Sequence, residues 1–600
     1  MPTHPSTIQN AEHEYTCRLE RLRASEPKFK GRDTLLGYAK LFLLLLGVAM
    51  AFWFLTTRNF SIFWILLPAV LFILLAAMHE NVLRALKRCQ RAILFYERGL
   101  ARIANQWMGK GETGERFSDP SHPYARDLDL FGKGSLFELL CDTRTRVGEE
   151  TLAKWLLSPA PPQEVFLRND AITDLRGRLD LREDLATLGE LVRSGVRPDS
   201  LVAWAEGRLL LESTAGRVAS LLLSLSWLAS LVAWAVWDLR YLALLSTAIN
   251  LAFGFVYRAN VRTIVAGVET SAQDLALLSQ VLARLEREKF SAAKLVDLHG
   301  KLHDRGAAPS LSIARLGRLV ELLISRRNPI LQLTDPFVLW TLNLAFAIEA
   351  WRKRFGPAVR GWISAVGEME ALSSLASYSY EHPADVFPEF TEDTPCFDAE
   401  AFAHPLIPES RAVQNHLRFD RDFRLMIISG PNMAGKSTFL RSVGINAVLA
   451  QCGAPVRARR LRLSSLTVAA SVCVLDSLQG GMSRFYAEIA RLKLIVDSTC
   501  GPYPVMFLLD ELLQGTNSHD RRIGAEAIAR SLFEHGAIGL ITTHDLALAE
   551  IADSLGPGAA NFHFEDRLEN GKLRFDYHLT PGIVQTSNAL DLMRSIGLDV

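Results

Sequence analysis

The sequence predicts an α/β domain built around a phosphate-binding loop at the C-terminal end, an all-α core and lever domain ahead of it, and four transmembrane helices in two hairpins. Three observations carry this. A glycine-rich loop stands between a short apolar strand and a helix-periodic segment near residue 430. Helical stripes without strand alternation fill 127–217 and 258–380. Two pairs of apolar runs interrupt the polar chain.

The strand Leu425-Met426-Ile427-Ile428 has the length and branching of a buried strand. It runs into Gly430-Pro431-Asn432-Met433-Ala434-Gly435-Lys436-Ser437-Thr438, which fits G-x-x-x-x-G-K-[ST]. Phe439, Leu440, Val443 and Ile445 then continue as a helix. Strand, glycine loop and helix form the context in which this spelling cradles phosphates: backbone N–H groups curl around the oxygens and the helix N-terminus adds partial positive charge. Lys436 is expected to reach the β- and γ-phosphates of ATP, and Ser437 to hold Mg²⁺.

Two further strands end on chemistry. Val505 to Leu509 closes on Asp510-Glu511. Asp510 is placed to bind Mg²⁺ and Glu511 to polarise an attacking water. Ile538 to Thr543 closes on His544, placed to contact the γ-phosphate or the water. Between the glycine loop and the strand that closes on Asp510, Asp476 to Glu488 holds a glycine turn and Ser483 opening a helix, a second phosphate-facing N-terminus. One phosphate loop cannot use both sites in one subunit, so the second is expected to serve a partner's ATP across a homodimer.

The bulk numbers set limits. A chain of 600 residues exceeds what one core supports. A net charge of +1 provides no global field for nucleic acid. Mean hydropathy of +0.13 beside 22% charged residues points to local apolar segments. The seven cysteines are scattered without a C-x-x-C pair, so they read as reduced thiols in a cytosolic setting, with no zinc site.

In chain order, residues 1–34 are polar and are expected as a cytoplasmic tail, without the order of a cleaved signal peptide. Residues 35–78 hold two uncharged runs, Leu41–Leu55 and Phe60–Met78, each near the ~20 residues that cross a bilayer. A membrane-proximal helix and loop take 79–126, and the first part of the helical core 127–217. A second apolar hairpin occupies 218–257, turning at Asp238. The second part of the helical core and lever spans 258–394, and the α/β domain 395–600. Lys28, Lys30 and Arg32 precede the first hairpin and Arg84, Lys87, Arg88 and Arg91 follow it. Arg208 and Arg217, then Arg258 and Arg262, flank the second. The positive-inside bias puts both termini and the α/β domain in the cytoplasm of a multi-pass cytoplasmic (inner) membrane protein, in contact with anionic lipid. No ionisable residue sits mid-span, so no ion path is expected.

With these residues in place, the C-terminal part resembles the MutS family of mismatch-repair ATPases, relatives of the ABC ATPases. Gly430-Pro431-Asn432-Met433 is specific to that family. Ser483-x-Phe485-x-x-Glu488, Asp510-Glu511 with Gly515-Thr516, and Thr543-His544 match its motifs in order. His404-Pro405-Leu406 and Val413-Gln414-Asn415 resemble the stretch near the adenine, and Thr580-Pro581-Gly582 with Ser587-Asn588-Ala589 the family's C-terminal segment. The resemblance implies a P-loop (ABC-like) ATPase domain with ATP and Mg²⁺, dimeric composite sites, and DNA as a partner.

The chain departs from the family where mismatch reading is done. A short tail and a membrane hairpin occupy the place of the mismatch reader, and the second hairpin lies where a DNA clamp is expected. Phe95-Tyr96-Glu97 and Phe387-Pro388-Glu389 fit the reader's Phe-x-Glu but lie in no small α/β domain. Arg457, Arg459, Arg460 and Arg462 are expected as a solvated strand edge. The leading expectation is therefore a membrane-anchored ATPase of this type, acting on mismatched or branched DNA. The alternative is an ATP-driven membrane switch or transporter-like ATPase with no DNA role; a degenerate scaffold fits poorly with the full set of site residues.

Overall fold

The computed structural model describes residues 7–57, 63–188, 198–269, 272–302, 308–325, 329–431, 434–473, 484–545, 548–569 and 572–583. The chain forms two compact units. One comprises Met1–Asp142, Leu152–Gly177 and Leu372–Val600, and the other Thr143–Thr151 and Arg178–Ala371.

The first unit opens with α1 (Thr7–Thr57) and α2 (Phe63–Ile103), packed against each other as a hairpin. Residues 7–34, expected as a tail, are part of α1. Ala11, Tyr15 and Leu19 recur every four residues, share one face and are buried. They meet the end of α2, where Tyr15 and Tyr96 pack edge to face at 5.4 Å. Arg23 pairs with Glu97 at 2.7 Å, so the charged faces match along the hairpin. Phe95 is buried here too, which gives Phe95-Tyr96-Glu97 a packing role. The other half of the hairpin leaves Phe42, Leu45, Phe52, Trp53, Ile73 and Leu74 exposed.

The foot of α2 is fastened by charge. Arg102 donates to both oxygens of Glu381, at 2.5 and 2.6 Å, and to both of Asp142, at 2.8 and 2.9 Å. Burial opposes the guanidinium's charge, but the two carboxylates outweigh it and hold Arg102 well above its usual range. Short helices follow: α3 (Leu136–Leu140), α4 (Arg146–Leu157) and α5 (Pro162–Arg176).

The second unit is helical: α6 (Leu179–Thr187), α7 (Pro198–Glu206), α8 (Thr214–Trp237), α9 (Arg240–Glu269), α10 (Ala272–Leu285), α11 (Ala293–Lys301), α12 (Pro309–Ile324), α13 (Pro329–Val338) and the start of α14 (Trp340–Glu381). Helices α8 and α9 turn at Asp238, which sits at φ +53°. Polar side chains join them: Trp227 Nε1 donates to Thr247 at 2.9 Å, and Ser230 lies 2.8 Å from Ser246. Together with α1 and α2 they are four helices long and apolar enough to cross a membrane, by length and composition. Between α13 and α14 the helix breaks at Leu339, φ +52°. The freed carbonyls of Phe337 and Val338 accept from Asn250 at 2.6 Å and Ser224 at 2.7 Å, and Asp335 accepts from the backbone and hydroxyl of Thr341, each at 2.7 Å. The core of this unit stacks Trp204 on Trp351, while Arg352 donates to the carbonyls of Trp204 and Gly207.

The C-terminal part of the first unit alternates strands and helices: β1 (Glu389–Phe390), β2 (Phe397–Phe402), β3 (Asn415–Phe419), β4 (Leu425–Ser429), α15 (Lys436–Cys452), β5 (Arg460–Leu463), β6 (Thr467–Ser471), α16 (Arg484–Asp497), β7 (Val505–Leu509), α17 (Ser518–Glu534), β8 (Ile538–Thr543), α18 (Glu550–Leu555), β9 (Ala559–His563), β10 (Asp566–Glu569), β11 (Lys572–Phe575) and β12 (Thr580–Pro581). Six strands form a sheet in the order β12-β9-β4-β8-β7-β6. Its five longer strands are parallel and β12 is antiparallel. Every residue of β4, β7 and β8 is buried, as expected for parallel strands covered on both faces. Parallel direction brings the C-terminal ends of β4, β7 and β8 to one edge, where ligands of such sheets bind.

A second sheet has the order β1-β5-β2-β3. The basic run therefore does not lie at an edge: β5 is flanked by β1 and β2. Each arginine has an acid. Arg457 meets Asp385 at 3.4 Å, Arg459 meets Glu400 at 3.0 Å, Arg460 meets Glu389 at 3.0 Å and Arg462 meets Asp393 at 2.8 Å.

Candidate functional site

The loop after β4 begins at Gly430, φ +149°, where a Cβ would stand 2.9 Å from the Phe564 carbonyl oxygen. It ends at Gly435, φ +96°, the N-cap of α15. Helix α15 starts at Lys436, so the helix N-terminus faces the loop as the spacing predicts. Lys436 is buried, and its Nζ donates to the carbonyls of Gly430 at 2.7 Å and Pro431 at 2.9 Å. Burial lowers its pKa, against the pull of Glu511 and Asp510. An ammonium held by neutral carbonyls has the chemistry to exchange those contacts for charge-assisted bonds to an anion.

A cavity of about 470 Å³ opens over this loop, lined by Val413, Lys436, Ser437, Thr438, Glu511 and Tyr577 among others. Glu511 Oε1 lies 4.0 Å from Lys436 Nζ and 3.7 Å from His544 Nδ1. Glu511 sits at φ +49°, a conformation that costs a non-glycine residue about 1–3 kcal/mol and recurs at working sites. Its N–H bonds the Thr542 carbonyl and hydroxyl at the end of β8, and Gln514 donates to its carboxylate. Thr542 also donates to Asp510 Oδ1, leaving the other oxygen of Asp510 for a cation. One hydroxyl and one carboxylate suit Mg²⁺, which keeps waters and substrate phosphates in its shell.

Of the expected site residues that are described, Val413, Gly435, Lys436, Ser437, Thr438 and Glu511 line one cavity, Gly430 and Pro431 hold the Lys436 ammonium, His544 lies 3.7 Å from Glu511, and Ala434 and Asp510 adjoin them in the chain. Asn432, Met433 and Ser483, with all of 474–483, lie outside the described residues. The rest of the Ser483 motif is visible at its helical end. Glu488 is buried and accepts from the Leu513 backbone at 2.6 Å, and Phe485 packs where a Cβ on Gly515 would come within 2.9 Å. Both residues brace the loop after Glu511.

Sequence reasoning missed Tyr577 and Asp127, whereas His404 and Asn415 belong to the stretches that resemble the family's segment near the adenine. Tyr577, φ +58°, stands over Gly435, and Asn415 clamps its segment by donating to the Tyr577 carbonyl and accepting from Leu579. No local pattern marks Tyr577, which lies between β11 and β12. His404, on the far wall, is held neutral: burial, then Arg441 and Arg457, push its pKa down to about 4. Asp127 also went unread. It accepts from the backbones of Val472 and Cys473 and pairs with Arg491 at 3.1 Å, fastening the chain on the way into 474–483.

The model of MutS domain V matches residues 426–599. DNA mismatch repair protein MutS of Natronomonas pharaonis is 33% identical over 242 residues, 39% of this chain and 27% of that protein. The protein of the same name from Myxococcus xanthus is 28% identical over 528 residues, 78% of this chain and 56% of that protein. That from Geobacillus kaustophilus is 30% identical over 262 residues, 43% of this chain and 29% of that protein. The chain spans between about a quarter and just over half the length of these relatives. Residues 426–599 therefore carry a MutS domain V, and in this part the chain is similar to MutS proteins.

Proposed function

We propose that this chain is a membrane-anchored ATPase of MutS type, which binds and hydrolyses ATP with Mg²⁺ at composite sites of a homodimer. The observation that carries the proposal is the convergence of Lys436, Ser437 and Glu511 on one cavity, with His544 3.7 Å from Glu511. Lys436 takes the β- and γ-phosphate oxygens. Ser437 and Asp510 would hold Mg²⁺, which supplies charge neutralisation at those oxygens. Glu511 orients and polarises the water, steadied by Gln514 and by the Thr542 hydroxyl on its backbone. Ser483 of one subunit faces the Lys436 site of the other, so ATP closes the dimer and hydrolysis reopens it. Ligand shifts that equilibrium by its differential affinity for the closed state. The two hairpins hold the assembly in the cytoplasmic membrane, with both termini and the ATPase domain on the cytoplasmic side.

In this reading the client is DNA, mismatched, as the names of the relatives suggest, or branched. A second reading, an ATP-driven membrane switch with no DNA role, is favoured by one observation: each arginine of the run at 457–462 is paired with a carboxylate. DNA binding by the full chain in nanodiscs separates the two, measured with and without ATP across a salt series. Tight binding that falls steeply with salt and responds to ATP supports the first. Background binding beside intact ATP turnover supports the second.

A further inference from the structure

Within the helical unit, α9 and the corner between α13 and α14 enclose a cavity of about 310 Å³. Its two ends differ in chemistry. Leu251, Gly254 and Phe255 of α9, with Leu339 and Leu342 from the corner, make one end apolar. Arg258 and Arg262, further along α9, make the other basic. The guanidinium of Arg258 lies 4.0 Å from the Phe255 ring centre, just where the two ends meet. Asp335 also lines the cavity, but its two oxygens are committed to the backbone and hydroxyl of Thr341. Two arginines against one aspartate leave the lining positive. At the floor is Asn250, fully buried; its amide nitrogen caps the Phe337 carbonyl, while its Oδ1 has no donor among the described residues.

We propose that this cavity binds an anionic phospholipid, with the phosphate between Arg258 and Arg262 and an acyl chain along Leu251, Gly254 and Leu339. The proposal rests on the reading that α8 and α9 lie in a bilayer. The apolar course of α9 ends between Phe255 and Arg258, so on that reading the arginines stand at headgroup depth. From Leu251 to Arg262 the helix rises ~16 Å, room for a headgroup, the glycerol and the start of a chain. An occupant must be apolar at one end and negative at the other, and it must be available beside lipid-exposed helices. Anionic phospholipid meets all three conditions.

The test is native mass spectrometry of the full-length chain released from nanodiscs holding phosphatidylglycerol and phosphatidylcholine in equal parts. Wild type retains phosphatidylglycerol about tenfold over phosphatidylcholine, as two arginines at a charged interface imply. The Arg258→Gln/Arg262→Gln double variant brings the ratio to parity. Gly254→Leu, whose side chain grows toward Leu339 Cδ2 from a Cβ already 3.2 Å away, lowers retention of both lipids. A wild-type ratio near one, or a ratio unmoved in the double variant, overturns the site. So does displacement of the lipid by millimolar inorganic phosphate, which would make it a free-anion site. Carbonate extraction of membranes is run alongside. A chain that washes off removes the bilayer reading itself, whereas a chain that stays without lipid preference removes this site alone.

Discussion

Lys436 Nζ and Glu511 Oε1 stand 4.0 Å apart across the cavity, with the lysine bonded to the carbonyls of Gly430 and Pro431. The loop is thus held by the group that is to grip phosphate. Lys436→Ala removes charge-assisted bonds worth about 1.5–3 kcal/mol, so ATP binds at least about tenfold more weakly. Titration with a fluorescent ATP analogue measures this. An unchanged affinity would mean that the lysine serves only the loop.

Glu488 separates binding from turnover. It is not one of the residues that line the cavity, and it accepts the Leu513 N–H at 2.6 Å, two residues beyond Glu511. Glu488→Ala frees the loop that sets Glu511. Turnover falls about tenfold, or about 1.4 kcal/mol of barrier, while ATP affinity stays at the wild-type value. Parallel steady-state and binding measurements distinguish this from general unfolding, which lowers both.

The base of the first hairpin depends on one ion cluster. Glu381 is fully buried, and Arg102 is its countercharge. Arg102→Met strands Glu381 and Asp142, and costs about 3–5 kcal/mol of stability. Adding Glu381→Gln to Arg102→Met recovers part of the loss. Denaturation midpoints of the three proteins in one detergent give the comparison.

Two buried histidines set an acid limit. Burial is the first cause pushing both His382 and His404 down to about 4, from an ordinary 6.5. Between those values the unfolded chain binds more protons than the folded one, so stability rises with pH. Their neutral forms are fully accommodated above pH 6.5, and stability is lost as pH falls from about 6.5 toward 4. In the His382→Gln/His404→Gln protein the slope of the denaturation midpoint against pH is shallower in that window. An equal slope would place the acid sensitivity elsewhere.

How much was legible follows from how local each signal is. The strand before Gly430, the strand before Asp510 and the strand before His544 are short apolar runs ending in chemistry, and each lies where the spelling puts it. The four apolar helices were equally readable, because length and lack of charge are properties of a single segment. Ala11, Tyr15 and Leu19 do carry a four-residue period, but the charges between them dominate the composition and suggested a tail. Arg102 and Glu381 are 279 positions apart, and the acids that pair with Arg457, Arg459, Arg460 and Arg462 lie 59 to 72 positions away. Such pairings exist only after the chain has folded, as does the placing of Tyr577 over Gly435. A basic run read alone looks like a free surface; its neutralisation is a tertiary fact.

The central claim is that Glu511 drives ATP turnover in a cavity built on Lys436 and Ser437. The most direct test compares phosphate release and ATP binding by the full chain in nanodiscs for wild type and Glu511→Gln. Glu511→Gln is expected to bind ATP as wild type does and to release phosphate about 100-fold more slowly, the usual scale for losing a positioned base. Equal turnover in the two proteins, or no turnover in wild type with ATP bound, would contradict it.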